Sequence, residues 1–152
     1  MSSASTTPTN QPVERRRPSD DGDDDQRAQW LVVESAGVML GIPVEQVREV
    51  VRPGGLRAVP GAPVIQAGIV NVRGAIVTVL DLLALRSGER AVTPGSIVLL
   101  QHGARPVGLV VDSVRDVHVA EAGQTDLPTH IEPLDAVALC ARHLHSAEER
   151  TR

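Results

Sequence analysis

The chain has 152 residues, of which 41% are hydrophobic, with 15 basic against 19 acidic side chains for a formal net charge of −4. That balance argues against a nucleic-acid surface, which needs concentrated positive charge to neutralise phosphates. One Trp (Trp30) and no Phe or Tyr leave no platform for base stacking and require a core of Val, Leu, Ile and Ala, a mixture that favours strands. Every basic residue is Arg, so the phosphate-binding lysine of a P-loop and all Schiff-base mechanisms are excluded. The single Cys140 cannot form an internal disulfide and the N-terminus lacks a signal-peptide apolar run, so a reducing cytoplasm is the expected compartment. No apolar stretch approaches the roughly 20 residues that cross a bilayer, so direct membrane insertion is not expected.

Residues 1–28 combine Arg15-Arg16-Arg17 with the acidic run Asp20 to Asp25 and almost nothing apolar, and are expected to be a disordered charged tail. A solvated leader is preferred to an electrostatic tether, because opposite charges this close cancel beyond a Debye length of about 8 Å. From Trp30 the texture changes to short apolar runs cut by Gly and Pro. Trp30–Glu34 and Val38–Ile42 predict two strands joined by a turn at Ser35-Ala36-Gly37. Val44, Val47, Val50 and Val51 recur at spacings of three and four, which fits one or two helical turns, although their β-branching fits a strand nearly as well. Arg52–Gly55 is a loop, and Leu56–Val59 a further strand ended by Pro60-Gly61-Ala62-Pro63.

Ile69–Val72 and Ala75–Leu80 predict two more strands, and Leu82, Leu83 and Leu85 a short helix. After turn material from Gly88 to Gly95, strands are predicted at Ser96–Gln101, Val107–Asp112 and Val114–Val119. A repeat of about ten residues with turn signals between is the pattern of a sandwich or small barrels. Most of these strands are continuous apolar runs, which implies burial on both faces. The last segment, from Gln124, supports either a helix throughout or a strand at Asp135–Leu139 followed by helix.

Little in the chain suggests chemistry. His143 and His145 stand two apart and would point to different faces of a helix, and there is no H-E-x-x-H or paired C-x-x-C, so no metal is expected. Asp81 and Asp112 each end an apolar run, a position that suits a catalytic carboxylate and, far more often, a cap of the following turn or helix. There is no G-x-S-x-G elbow and no phosphate loop. No enzyme activity and no cofactor are expected.

The stretch Gly68-Ile69-Val70-Asn71-Val72-Arg73-Gly74, continuing through Val79-Leu80-Asp81-Leu82, resembles the central signature of the CheW family. Around it lie, in family order, Leu40-Gly41-Ile42-Pro43-Val44, Val59-Pro60-Gly61-Ala62-Pro63 and Val107-Gly108-Leu109-Val110-Val111-Asp112. The resemblance covers about Gln29 to Val119. It implies a mainly β fold of two intertwined small five-stranded β-barrels with short helices and a C-terminal helix, in a CheW-like domain over 29–146 and a short tail over 147–152. It also implies a non-catalytic adaptor in chemosensory clusters of the cytoplasm, linking chemoreceptors to the regulatory domain of a CheA-type histidine kinase, and able to meet other CheW-like proteins or itself. By resemblance Arg73 pairs with Glu49, and both are candidate interaction residues; the pair is equally open to a purely structural role. Val47 and Val51 are candidate apolar anchors, with core packing the competing reading.

The family pattern breaks after Val119. The segment before Leu134 is too short for two further strands of five or six residues and their turn, so one barrel is expected to be incomplete and a partner contact to be lost, as in a divergent accessory member of the kind found in myxobacterial frizzy pathways. A second reading makes the chain a spacer or recruitment module that positions clusters without coupling receptor to kinase, with the charged blocks before Arg27 as its motivating feature.

Overall fold

A computed structural model describes residues 27–91, 94–121 and 126–151, with side chains described through Leu144. The expected disordered tail therefore lies outside the described residues, apart from Arg27 and Ala28. The chain forms two compact units. In the smaller, the Ala120 amide donates to the Ala28 carbonyl at 2.8 Å. The larger, residues 29–118 and 127–152, carries the elements that follow, save the last residue of the eighth strand, Val119.

Strands β1 (Gln29–Ser35) and β2 (Val38–Pro43) form an antiparallel hairpin with Ser35 opposite Val38. Its turn residues Ala36 and Gly37 have φ of 51° and 79°, the doubly left-handed two-residue turn whose twist matches that of the strands. A single 3-10 turn, Val44–Gln46, leads into β3 (Val47–Val51). Of the two readings of the Val44–Val51 spacing, the strand is therefore realised, since three valines in five residues lose little by lying extended.

Strands β4 (Gln66–Val72) and β5 (Ala75–Asp81) form the second hairpin, and Asp81 leads into helix α1 (Leu82–Ser87). Strands β6 (Ser96–His102) and β7 (Arg105–Val111) form the third. Strand β8 (Ser113–Val119), the short β9 (Ile131–Pro133) and helix α2 (Ala136–Thr151) complete the chain.

These strands make two sheets. One has the order β3-β6-β7-β5-β4 and the other β8-β1-β2-β9. The first two and last two strands of the chain thus form one sheet, with the five middle strands forming the other, which is the intertwined arrangement. Among the described residues the second sheet has four strands rather than five, so the incompleteness expected from the short C-terminal segment falls there. Among the described residues no ladder closes the five-stranded sheet. One antiparallel bridge brings the chain after β3 onto β4, with Arg57 and Ile69 exchanging amide-to-carbonyl bonds of 2.9 Å in both directions.

The predicted strand Leu56–Val59 is reduced to that bridge. Its neighbour is Gly68, at φ 154°, where any Cβ would strike the Arg57 carbonyl oxygen. Close approach of one backbone to another replaces a ladder at this point. The C-terminal expectation also needs correction: the last strand is Ile131–Pro133, parallel to β2, and Ala136–Leu139 open the helix instead of forming a strand.

Two aliphatic cores share β6 and β7. Val98 and Leu100 of β6, with Val107, Leu109 and Val111 of β7, meet Leu31, Val33, Leu40 and Ile42 from β1 and β2, Leu82 from α1 and Cys140 from α2. The alternate residues Ile97, Leu99 and Val110 meet Val70, Val77 and Val79 inside the five-stranded sheet. Period-two alternation between two apolar environments explains why these strands read as unbroken apolar runs. Gly108 lies where they are tightest, and a Cβ there would come within 2.9 Å of both Ile97 and Val79.

Candidate functional site

The four candidate residues lie on an edge strand and on the turn that caps the opposite edge of the same sheet. Glu49 is on β3, and Arg73 is the first turn residue between β4 and β5. Arg73 has φ 50° and Gly74 φ 89°, so this hairpin repeats the turn seen between β1 and β2. A left-handed arginine is uncommon, because Asn, Asp and Gly take such positions more cheaply. The Asn71 side chain stabilises the turn by accepting from the Gly74 amide at 2.9 Å.

That turn delivers the guanidinium to the Glu49 carboxylate. Arg73 Nη1 donates to Glu49 Oε1 at 3.3 Å, and Nη2 donates to Oε2. This is the bidentate fork that planar guanidinium and carboxylate groups favour. Arg73 remains 69% exposed and Glu49 28%, so the pair tethers the two edges of the sheet while presenting charge outward. Hydrogen bonding from Arg73, reinforced by the positive charges of Arg73 and Arg48, holds the Glu49 carboxyl below its ordinary range. The same bond raises the Arg73 guanidinium. Beside the pair is a recess of about 280 Å³ lined by Arg48, Val72, Val77, Leu99 and Pro106 among others.

Val47 and Val51 are half-buried on the inward-facing side of β3. Val47 packs against the larger core and Val51 against the core inside the five-stranded sheet, so β3 passes from one core to the other, helped by a register shift between Val47 and Glu49. The structure thus gives both valines packing contacts and brings Glu49 and Arg73 together. The apolar side chains that do face solvent here are Val50, 42% exposed, and Ile76, 63% exposed. Sequence reading missed Val50 because it weighed helical spacing over Val44–Val51, and missed Ile76 because an unbroken apolar run does not say which face is covered. Strict alternation along β3 would have grouped Val50 with the exposed Arg48.

Asp81 and Asp112 have structural partners. Asp81 is buried, and its Oδ1 accepts from the Ala84 amide at 3.2 Å as the N-cap of α1, while Oδ2 accepts from the Ala91 amide at 2.9 Å. Asp112 Oδ2 accepts from the Ala36 amide at 2.8 Å and steadies the β1–β2 turn. Arg90 plays a similar part from the other sign of charge, donating to the carbonyls of Val64 and Gln66 at 3.1 and 3.0 Å.

Two interlocked sheets around aliphatic cores, with an ion pair across the edges of one of them, define a small β module. The CheW-like domain model matches residues 29–137. The chain belongs to the CheW-like domain family.

Among its relatives, a probable chemotaxis protein CheW from Rhizobium etli is 36% identical over 63 residues, covering 40% of each chain. The protein FrzA of Myxococcus xanthus is 38% identical over 77 residues, covering 49% of this chain and 48% of its own. These matches span less than half the length of either relative. A solved structure, the scaffolding protein TtCheW from Thermoanaerobacter tengcongensis, superposes with a TM-score of 0.59 at 25% identity over 70% of this chain and 73% of its own.

Proposed function

We propose that this protein is a non-catalytic adaptor of a bacterial chemosensory array, linking chemoreceptors to the regulatory domain of a CheA-type histidine kinase. The family match over residues 29–137 carries the reading. It is supported by relatives named for chemotaxis and by a scaffolding protein of similar fold. The exposed Glu49–Arg73 pair, with the exposed Val50 next to Glu49 on β3 and the exposed Ile76 three residues after Arg73, offers a partner both charged and apolar groups. In this reading one of the usual contacts is weakened or lost, in keeping with a sheet that has four strands among the described residues.

Binding of the kinase regulatory domain and of a receptor signalling tip, measured separately, tests the proposal. Arg73→Glu places two acidic groups together and is expected to weaken at least one of the two interactions about tenfold or more. Restoring the attraction in the double variant Glu49→Arg/Arg73→Glu separates the roles: recovery of binding assigns the pair to sheet architecture, and continued loss assigns it to direct contact. Unchanged affinity for both partners in Arg73→Glu would remove this corner from the interface.

A further inference from the structure

Among the described residues the sheet edges differ in length and in what covers them. In the five-stranded sheet, the chain after β3 bridges β4 through Arg57 and Ile69, and the Glu49–Arg73 pair ties β3 to the β4–β5 turn. In the other sheet, β9 is only three residues long and ends in Pro133, which has no amide to offer a further strand. Strand β8 is different: it runs for seven residues, has β1 as its one neighbour in the sheet order, and contains no buried residue. Among the described residues the chain does not return to it, since the next strand, β9, joins the far side of the sheet.

We propose that β8 is a self-association edge, with two copies of the chain pairing antiparallel through it about Val117. Twofold pairing sets one residue against itself and its neighbours against each other in reciprocal fashion. Centring on Arg115 or on Asp116 would oppose two like charges, which is unfavourable. Centring on Val117, 47% exposed, opposes two valines and sets Asp116 against His118 of the second copy twice over, a carboxylate facing an imidazole N–H. In the single chain the Asp116 Oδ1 accepts from the Val117 amide at 2.7 Å, covering an edge amide. On pairing, this carboxylate turns to the facing His118 and frees the amide for the Val117 carbonyl of the second copy. The proposal needs only the fold and does not depend on the adaptor reading.

An edge of one strand buries less than the roughly 1,200 Å² of a standard stable interface, so the dimer is weak and concentration-dependent. Sedimentation of the full chain through the micromolar range is expected to show the mass rising from 16.1 kDa towards twice that value. Val117→Pro, which deletes the edge amide, is expected to keep the monomer mass with an unchanged circular dichroism spectrum. His118→Asp should also abolish association, and Asp116→His/His118→Asp should restore it. A monomer mass at every concentration would overturn the proposal, as would association that Val117→Pro leaves intact. A wild-type monomer that dimerises only as Asp116→Asn would show the carboxylate to be a permanent guard, and would overturn it too.

Discussion

Strands β6 and β8 are both seven residues long, one in each sheet, yet β6 buries four consecutive residues, Ile97 to Leu100, and β8 buries none. The difference lies in what covers each face. β6 has strand neighbours on both sides and a core against each surface, so alternation places every side chain in an apolar environment. β8 has one neighbour, and its Arg115 reaches back over the sheet to Glu34 at 3.5 Å. An unbroken apolar run therefore records a strand enclosed on every side, while charges interleaved with valine record an edge. Stability is concentrated in the first kind of strand, and capacity for new contacts in the second.

Substitution should expose this contrast most strongly at Leu99. Leu99→Ala is expected to cost about 2–5 kcal/mol in chemical denaturation, and Val117→Ala at β8 no more than about 0.5 kcal/mol. Similar losses at the two sites would break the comparison. Next in size, Asp81→Ala strands two amide donors at the start of α1 and after its end. A loss of about 1–3 kcal/mol is expected there, with hydrogen exchange quickening at Ala84 and Ala91. Gly68→Ala, which forces the Arg57 bridge apart, should destabilise by about 1 kcal/mol or more and disturb β4 before β6.

Cys140 gives a pH-dependent version of the same contrast. Burial against the larger core pushes its thiol from the ordinary 9.0 up to about 12. The unfolded chain therefore releases this proton first as pH rises above 9.0, and stability falls, by up to about 1.4 kcal/mol per pH unit. With no Lys or Tyr in the chain, little else titrates in that window, and Cys140→Ala should flatten the profile. Native protein is expected to resist thiol alkylation until it unfolds. The smallest effect belongs to Glu49. Its carboxyl sits below the ordinary range because of Arg73, so the pair stabilises the fold above that range and loses its contribution as pH falls through it. Denaturation midpoints of wild type and Glu49→Gln should converge in acid.

Much of the architecture is legible in the residues themselves. The hairpin turns at Ala36-Gly37 and Arg73-Gly74, the cap at Asp81 and the doubly buried strands follow from local chemistry, whereas Asp112 caps no following turn and instead accepts from the distant Ala36 amide; the shortage of strands among the described residues follows from counting residues after Val119. The errors arose where tertiary approach overrides local preference. Leu56–Val59 has strand composition, yet its neighbour across the sheet is a bulged glycine that admits one pair of bonds. Ile131–Pro133 is too short for a periodic signal and is a strand because β2 is there to pair with it. At the candidate site, the Glu49–Arg73 pairing came from family resemblance and not from spacing, since 24 residues separate the two. The exposure of Val50 and Ile76 depended on which face of each strand the cores occupy.

The adaptor reading is tested most directly by reconstituting the chain with receptor signalling tips and a CheA-type kinase, and measuring whether it enters the clusters those proteins form. Saturable incorporation that depends on either partner and weakens in Arg73→Glu is the predicted result. A chain that is correctly folded by circular dichroism, yet binds neither the receptor tip nor the kinase regulatory domain, would contradict it.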